Sequence, residues 1–520
     1  MATPIPSIRA HARDVEPVEP QDPSAMATKH HHHHFLIVTY PAQGHITPAR
    51  HLARRLAGAC PGARVTICAP LSAFRRMFPG AAAAAGEERG GDGDDAVAYV
   101  AYSDGYDGGF DSAADSYARY MERARAAGER SLAAVLRRLR GGGLPVTCAV
   151  YTLLLPWVAG VAREHGVAAT AVFWIQPATA LAAYYHYFRG HRDAVAAAAA
   201  SGDPGAEVRL PGLPPLRFRD LPSFLAITDE DNPFAFVLPE FRELIDALER
   251  SDGSSNPPPT YVLANTFDAL EHDALESLRP HVDVFAVGPV LSFLHETDDA
   301  KRTLSPPRDV FDHDRNGYLN WLDSKPAKSV VYISFGSSSV MSKKQVAKIS
   351  DAMAQIKRPF LWVLRKDNCR DKEDDAAIKT LAAATGDAGT VVEWCDQARV
   401  LSHPSVACFV THGGWNSTLE GVACGVPLVV APQYSDQGTS AWLVAERAGA
   451  GVRAAAREAD GVVEAAELAR CVRAATSGAA ASRAAAWREE ARAAVAGGGG
   501  SDRSLTEFLR RIAGGGGNQY

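Results

Sequence analysis

The sequence predicts an α/β protein of two doubly wound, Rossmann-like domains facing each other across a cleft. Three observations carry this. Apolar runs of strand length alternate with helical segments in two series, the alternation that a parallel sheet with crossover helices requires. A stretch rich in charge, proline and polar residues, 291–314, lies between the two series. The chain has 520 residues, 47% hydrophobic and 22% charged, which is material for two cores of ordinary size.

The first series begins with FLIVTY (35–40), a buried-type strand that runs into PAQGH. A helix is expected from Thr47-Pro48, with proline in its first turn. ARVTICAP (63–70) is the second strand, and the alanine- and glycine-rich residues 80–95 read as a surface loop. VAYVAYSDGYDGGF (96–110) reads as a strand ending in a loop, and 113–141 as a long basic amphipathic helix stopped by glycines. Strand, turn and helix follow at 145–166, a strand at 168–175, and an aromatic-rich helix at 176–190. Residues 201–222 read as irregular, 233–250 as helix, and 260–267 and 284–290 as the last strands. This places a first domain at 35–290. Before it, 1–34 mixes proline with both charge signs, the composition of a disordered extension. It ends in five histidines, His30 to His34, read as a solvated approach to the first strand in preference to a metal-binding tract. The second series, 315–496, has a helix near Asn320-Trp321-Leu322 and another at 342–356. Its strands fall at 328–337, 360–365, 390–394, 406–412 and 428–432. A final segment, 497–520, follows a glycine run.

Several classes are excluded by composition. A net charge of −6 argues against nucleic acid or an anionic membrane held mainly by charge. No apolar run reaches the roughly 18 residues of a transmembrane segment, and the N-terminus lacks the hydrophobic stretch of a secretory signal. Its Asp and Glu residues speak against a transit peptide, and Met26 is an equally good start. Eight cysteines without a C-x-x-C pair fit reduced thiols in a cytoplasmic protein.

The stretch from Trp394 to Gln437 carries the most chemistry. VACFVTH reads as a buried strand, Gly413-Gly414 as a sharp turn, and Asn416, Ser417 and Thr418 as N-cap types before a helix at Leu419 to Ala423. Free backbone N–H groups and the helix dipole then converge on one spot, which suits a phosphate or diphosphate. An ordinary βαβ turn without a ligand has the same grammar. His45, just after the first strand, falls at the carboxyl edge of the sheet where such folds bind ligands, and imidazole suits a general base near neutral pH. His51, further along the same helix, reads as structural. Gly449 to Ala454 satisfies G-x-G-x-x-A but follows a helix, so it lacks the dinucleotide-binding context. The D-x-D strings at Asp92-Gly93-Asp94, Asp229-Glu230-Asp231 and Asp312-His313-Asp314 lie in loop or linker composition, away from strand ends.

Trp394-Cys395-Asp396-Gln397, His412-Gly413-Gly414-Trp415-Asn416-Ser417, Glu420 and Asp436-Gln437 span 44 residues. At this spacing they resemble the signature box of plant UDP-dependent glycosyltransferases, and the resemblance extends over roughly 35–515. It implies a GT-B type fold with UDP-glucose as co-substrate, no cofactor and no metal, and inversion at the anomeric carbon. Trp394 would stack on the uracil beside Cys395, and Gln397 and Glu420 would hold the ribose, the carboxylate clamping two vicinal hydroxyls. His412, Asn416, Ser417 and Ser337 correspond to diphosphate-binding positions, and Trp415, Asp436 and Gln437 to sugar-reading ones. His45 matches the family's catalytic base, and residues 503–513 suit its C-terminal helix, which returns to the first domain.

One departure stands out. The family orients its histidine with an aspartate, and here Tyr151-Thr152-Leu153-Leu154-Leu155-Pro156-Trp157 carries Thr152 instead. A hydroxyl holds an imidazole tautomer but stabilises imidazolium less than a carboxylate does. The variant resembles the subgroup of anthocyanin 5-O-glucosyltransferases and enzymes forming glucose esters of crocetin and auxin. It points to a flavonoid, anthocyanin, auxin or other phytohormone acid as the small-molecule acceptor. Tyr102, Tyr106, Phe110, Trp174, Tyr184 and Tyr187 are candidate walls for a flat acceptor, and each serves equally as a core residue. A monomer is expected. A non-catalytic UDP-sugar sensor and an NAD-dependent oxidoreductase are the competing classes.

Overall fold

Strand β1 (His34–Val38) has all five residues buried, the pattern of a parallel strand covered on both faces. It lies at the middle of an eight-stranded sheet ordered β10-β9-β6-β5-β1-β2-β4-β3. Its partners are β2 (Arg64–Pro70), β3 (Glu88–Gly91), β4 (Asp94–Tyr102), β5 (Cys148–Thr152), β6 (Ala169–Trp174), β9 (Tyr261–Ala264) and β10 (Val284–Ala286). All pairs are parallel except β3 with β4. Two-residue strands β7 (Glu207–Val208) and β8 (Leu216–Arg217) form a separate pair. The second sheet holds β11 (Val330–Ser334), β12 (Phe360–Val363), β13 (Gly389–Val392), β14 (Val406–Thr411), β15 (Leu428–Val430) and β16 (Gly451–Arg453). It is parallel throughout, ordered β13-β12-β11-β14-β15-β16. The architecture is two doubly wound α/β domains. The computed structural model describes residues 33–80, 85–91, 94–229, 231–249, 260–294, 317–337, 339–365 and 388–514. The extension up to residue 32, with His30 to His32, and nearly all of the stretch 291–314 lie outside the described residues.

Several local expectations are corrected. The first helix, Gln43–Ala59, starts four residues before Thr47, so Pro48 sits inside it. Residues 80–95, read as a loop, include the edge strand β3. The aromatic helix Ala178–His186 does not run to residue 190. Non-helical dihedrals at Arg189 and Gly190 break it, and a further helix, Arg192–Ala200, follows. His34 is no solvated approach to the strand. Its buried ring is held between the Leu144 carbonyl (3.0 Å) and the Thr66 hydroxyl (2.9 Å).

The two domains are bonded to each other directly. The Trp415 indole N–H donates to the Asn265 carbonyl (2.8 Å), and the Thr439 hydroxyl to the Asp220 carbonyl (2.7 Å). Arg453 pairs with the buried Asp220 carboxylate, and Arg217 with Glu446 at 2.8 Å. The chain then returns. The terminal helix Gly500–Gly514 lays Phe508 against Tyr261 and Phe285, with ring centroids 5.8 and 5.7 Å apart. Its Ser501 hydroxyl donates to the Gly288 carbonyl, and Arg511 meets Asp283 at 2.7 Å. Among the described residues no helix is long and apolar enough to cross a membrane.

Phe508 is fully buried. Phe508→Ala should therefore cost about 3–5 kcal/mol in denaturant unfolding of the first domain. An unchanged urea midpoint would show that the helix does not hold that domain.

Candidate active site

In an open parallel sheet the ligand crevice lies where strand order reverses. In the first domain that point is between β1 and β5. His45 follows β1 and Thr152 ends β5, and the His45 Nδ1 and Thr152 Oγ1 atoms lie 2.9 Å apart. Thr152 Oγ1 also accepts the Tyr40 backbone N–H (3.2 Å), and the Tyr40 ring packs on the imidazole with centroids 5.2 Å apart. Burial pushes the His45 pKa down to about 3, so the ring is neutral. Leu154, in the turn after β5, takes the left-handed conformation (φ 67°), a backbone strain that a branched side chain tolerates only under tertiary constraint.

In the second domain the reversal lies between β11 and β14. Gly336 and Ser337 follow β11, and His412 follows β14. A Cβ on Gly336 (φ +75°) would come within 2.5 Å of the His412 ring, and one on Gly414 within 2.6 Å. Glycine on both sides is what gives the imidazole its slot. Burial, aided by the Arg365 charge, lowers the His412 pKa to about 4.

The helix after His412 is Trp415–Cys424, capped by Gly414. It starts one turn earlier than expected. Asn416, Ser417 and Thr418 therefore lie within it, and the side chains of Asn416 and Ser417 line the cleft in place of capping. The Asn416 amide donates to the Gly44 carbonyl across the domain boundary (2.8 Å). That carbonyl would be the helical partner of the residue 48 amide, and Pro48 has none. The proline thus frees the acceptor that joins the two sites.

Both sites open into one cleft with a cavity volume of about 460 Å³. All twelve expected donor-site and base residues line it: His45, Ser337, Trp394, Cys395, Gln397, His412, Trp415, Asn416, Ser417, Glu420, Asp436 and Gln437. Gln397 donates to Glu420 (2.6 Å) and Ser417 (2.9 Å) and accepts from the Tyr332 hydroxyl (3.1 Å). Tyr332 was not anticipated, because within an apolar strand nothing in the sequence distinguishes a cleft-facing tyrosine from a core one. Cys395 is buried with its pKa pushed up to about 12, an unreactive thiol. Gln437 turns its Oε1 onto the backbone N–H groups of Gln433 (2.8 Å) and Tyr434 (3.2 Å), which fixes the loop before Asp436. Asp436 is 6% exposed, and burial raises its carboxyl to about 7.

The six aromatic walls expected from the sequence do not line this cleft. Tyr102, Trp174 and Tyr184 are fully buried core residues, and Tyr187 is buried beside Phe188. Tyr106 and Phe110 pack on Tyr120, behind the wall. The aromatic wall is instead Tyr117, Phe224, Phe234, Phe236, Phe241 and Tyr434. Tyr117 lies nearly parallel to Phe236 (15°), and Phe234 to Tyr434 (11°), leaving a flat-sided slot. The signal was the pair Phe234 and Phe236, two apart just before the helix Val237–Leu248 and therefore not on its core stripe. His51 lines the cleft and hydrogen-bonds Ser292. Among the described residues no group of three His, Cys, Asp or Glu side chains is placed to hold a metal ion. Asp229 and Asp231 are exposed, joined by a turn bond. Asp92, Gly93, Glu230 and Asp312 to Asp314 lie outside the described residues.

Two facing doubly wound domains with a shared cleft at their sheet edges define the GT-B architecture. Residues 313–469 match the family model described as UDP-glucoronosyl and UDP-glucosyl transferase. The chain is 42% identical to UDP-glycosyltransferase 75C1 of Solanum lycopersicum, over 85% of this chain and 90% of that one. It is 40% identical to the crocetin glucosyltransferase, chloroplastic, of Gardenia jasminoides, over 84% and 87% respectively. Among solved structures it is similar to Os79 from O. sativa in complex with UDP, with TM-score 0.75 and 28% identity over 92% of this chain and 100% of that one. The chain belongs to the UDP-glycosyltransferase family.

The lowered histidine pKa values have a directional consequence. Both rings stay neutral as pH falls below 6.5, while an unfolded chain would take up protons, so their burial lowers stability progressively on acidification. Imidazole NMR should show neither His45 nor His412 titrating between pH 5 and 8, while the Asp436 carboxyl titrates near 7. A His45 transition above pH 5.5 would contradict the geometry.

Proposed function

We propose that the protein transfers glucose from UDP-glucose to a hydroxyl or carboxylate of a small plant metabolite, without a metal and with inversion of configuration. The observation that carries this is the 2.8 Å bond from Asn416 to the Gly44 carbonyl. It sets the base-bearing turn beside the free N–H groups of the Trp415–Cys424 helix. A diphosphate at that N-terminus is stabilised by the helix dipole, by Asn416 and Ser417, and by His412 and Ser337, with no need for a cation. Trp394 offers a stacking face to the base, and Gln397 with Glu420 holds the ribose. Trp415, Asp436 and Gln437 lie on the sugar side.

The proton path is short. The acceptor hydroxyl gives its proton to His45 Nε2, its oxygen attacks the anomeric carbon, and UDP departs from the opposite face. Thr152 weakens this step. Its oxygen already accepts one N–H, from Tyr40, and its own proton is free to donate to Nδ1. In that tautomer Nε2 carries hydrogen and is no base; a carboxylate would forbid it. With a pKa near 3, His45 is moreover a weak base. An acceptor that is already acidic relaxes both constraints, since a carboxylic acid is ionised at neutral pH and needs no base at all. This favours carboxylic acids and acidic phenols, and the aromatic slot favours flat ones.

The reading is tested by incubating the protein with UDP-glucose and a panel of flavonoids, anthocyanins, auxins and other plant acids, followed by mass spectrometry. Alkaline hydrolysis separates esters from glycosides. His45→Ala should lower transfer to a phenol by roughly 10²–10⁴ and to a carboxylate far less. With a phenol acceptor, UDP release equal in wild type and variant would instead mark a non-catalytic binder. Thr152→Asp should lock the base tautomer and raise the His45 pKa. The pH–rate profile would then gain an acidic limb, and activity should rise on weakly acidic alcohols more than on carboxylates. Equal gains on both acceptor classes would remove the tautomer argument.

A further inference from the structure

Of the six rings that line the cleft, Phe224 and Phe241 are buried, while Tyr117, Phe234, Phe236 and Tyr434 keep solvent-accessible surface. Three of these four belong to the first domain. Tyr434 comes from the second, two residues before Asp436. The four rings form one continuous ladder. Phe236 stacks on Tyr117 with centroids 6.2 Å apart, Tyr117 packs on Phe234 at 5.9 Å, and Phe234 stacks on Tyr434 at 5.9 Å. The last step crosses the domain boundary.

The backbone fixes both sides of that step. In the first domain Asn232 Oδ1 accepts the Phe234 N–H (2.9 Å), and the Phe234 carbonyl accepts the Val237 N–H (3.0 Å). Phe234 is thereby tied to the start of the helix Val237–Leu248. In the second domain the Tyr434 N–H donates to Gln437 Oε1 (3.2 Å). Ser435 then takes the left-handed conformation (φ 63°), which is unfavourable for a non-glycine residue and persists only where neighbours over-determine it. Those neighbours lie in the first domain. The Ser435 N–H donates to Ser223 Oγ (2.7 Å), and the Ser435 carbonyl accepts the Ser223 N–H (2.8 Å). Ser223 precedes Phe224, whose ring packs on Phe234 at 5.8 Å. One clasp between the domains thus sets Phe224 and Tyr434 on the same ring.

Ring surface left open to water in a cleft is best covered by another flat, apolar group. We propose that Tyr434 is a specificity-determining residue for the acceptor, supplied by the second domain. A flat aromatic acceptor lies along the ladder with one ring against Tyr434, while Tyr117 and Phe236 hold the remainder from the first domain. The inference rests on the glucosyl-transfer reading above and deepens it. Acceptor choice is then written partly inside the Trp394–Gln437 stretch, three residues before Gln437. The first domain alone does not carry it whole.

The experiment is calorimetry on the full chain, first with UDP and then, at saturating UDP, with quercetin and indole-3-acetate as flat probes. It compares wild type with Tyr434→Phe, which keeps the ring, and Tyr434→Leu, which removes it. The expected result is UDP affinity within twofold of wild type in both variants, which doubles as the control for folding. Quercetin affinity should hold in Tyr434→Phe and fall about fivefold or more in Tyr434→Leu, the size of a lost aromatic contact. Phe234→Leu should cost a similar factor, and the double variant less than the product of the two, because each ring backs the other. Unchanged quercetin affinity in Tyr434→Leu overturns the proposal, as does a matching loss for UDP. An equal loss in Tyr434→Phe would move the contact to the hydroxyl and overturn it too. If the wild type binds UDP but neither flat probe, the slot is no aromatic site and the proposal falls. Failure to bind UDP at all would overturn the donor reading instead.

Discussion

A carbonyl released by a proline is the pivot of the molecule. Helices normally consume their own carbonyls, and a buried acceptor without a donor is costly. Gly44 escapes the first constraint because Pro48 has no amide hydrogen, and the second because Asn416 reaches it from the other domain. The contact fixes the spacing of two helix N-termini, each at the reversal point of its own sheet. Further domain-bridging bonds, among them Trp415 to Asn265 and Arg453 to Asp220, hold the flanks in register around it.

Within that frame the chemistry is governed by exclusion of water. His45 and His412 are held neutral by burial, and the Asp436 carboxyl is displaced toward neutrality for the same reason. Where a carboxylate would have offset the imidazolium, a threonine hydroxyl shared with the backbone stands instead.

The fold class was legible because parallel strands covered on both faces appear as unbroken apolar runs, and β1, β5, β11 and β14 are of this kind. The donor half was legible for a different reason. Most of its residues lie within one contiguous stretch, so local spacing carries their arrangement. Helix starts were misjudged where glycine took the N-cap, as at Gly414, because Asn416 to Thr418 advertise caps they do not make. The aromatic slot was hidden because it is assembled from four distant segments, near 117, 224, 236 and 434. Tyr102, Trp174 and Tyr184 were plausible walls by type, but strand ends and helix faces turned them inward.

The returning terminal helix bears on how the protein is cut and joined. Because Gly500–Gly514 packs on β9 and β10, the polypeptide leaves the first domain and comes back to it. No single scission yields two self-contained halves. A second-domain fragment would carry the apolar face of Phe508 and Leu505 unprotected, and a first-domain fragment would bare Tyr261 and Phe285. Chimaeras that exchange the first domain between relatives therefore need two junctions, with the last helix travelling alongside it. A partner fused after the terminal helix would in turn be tethered beside the first domain.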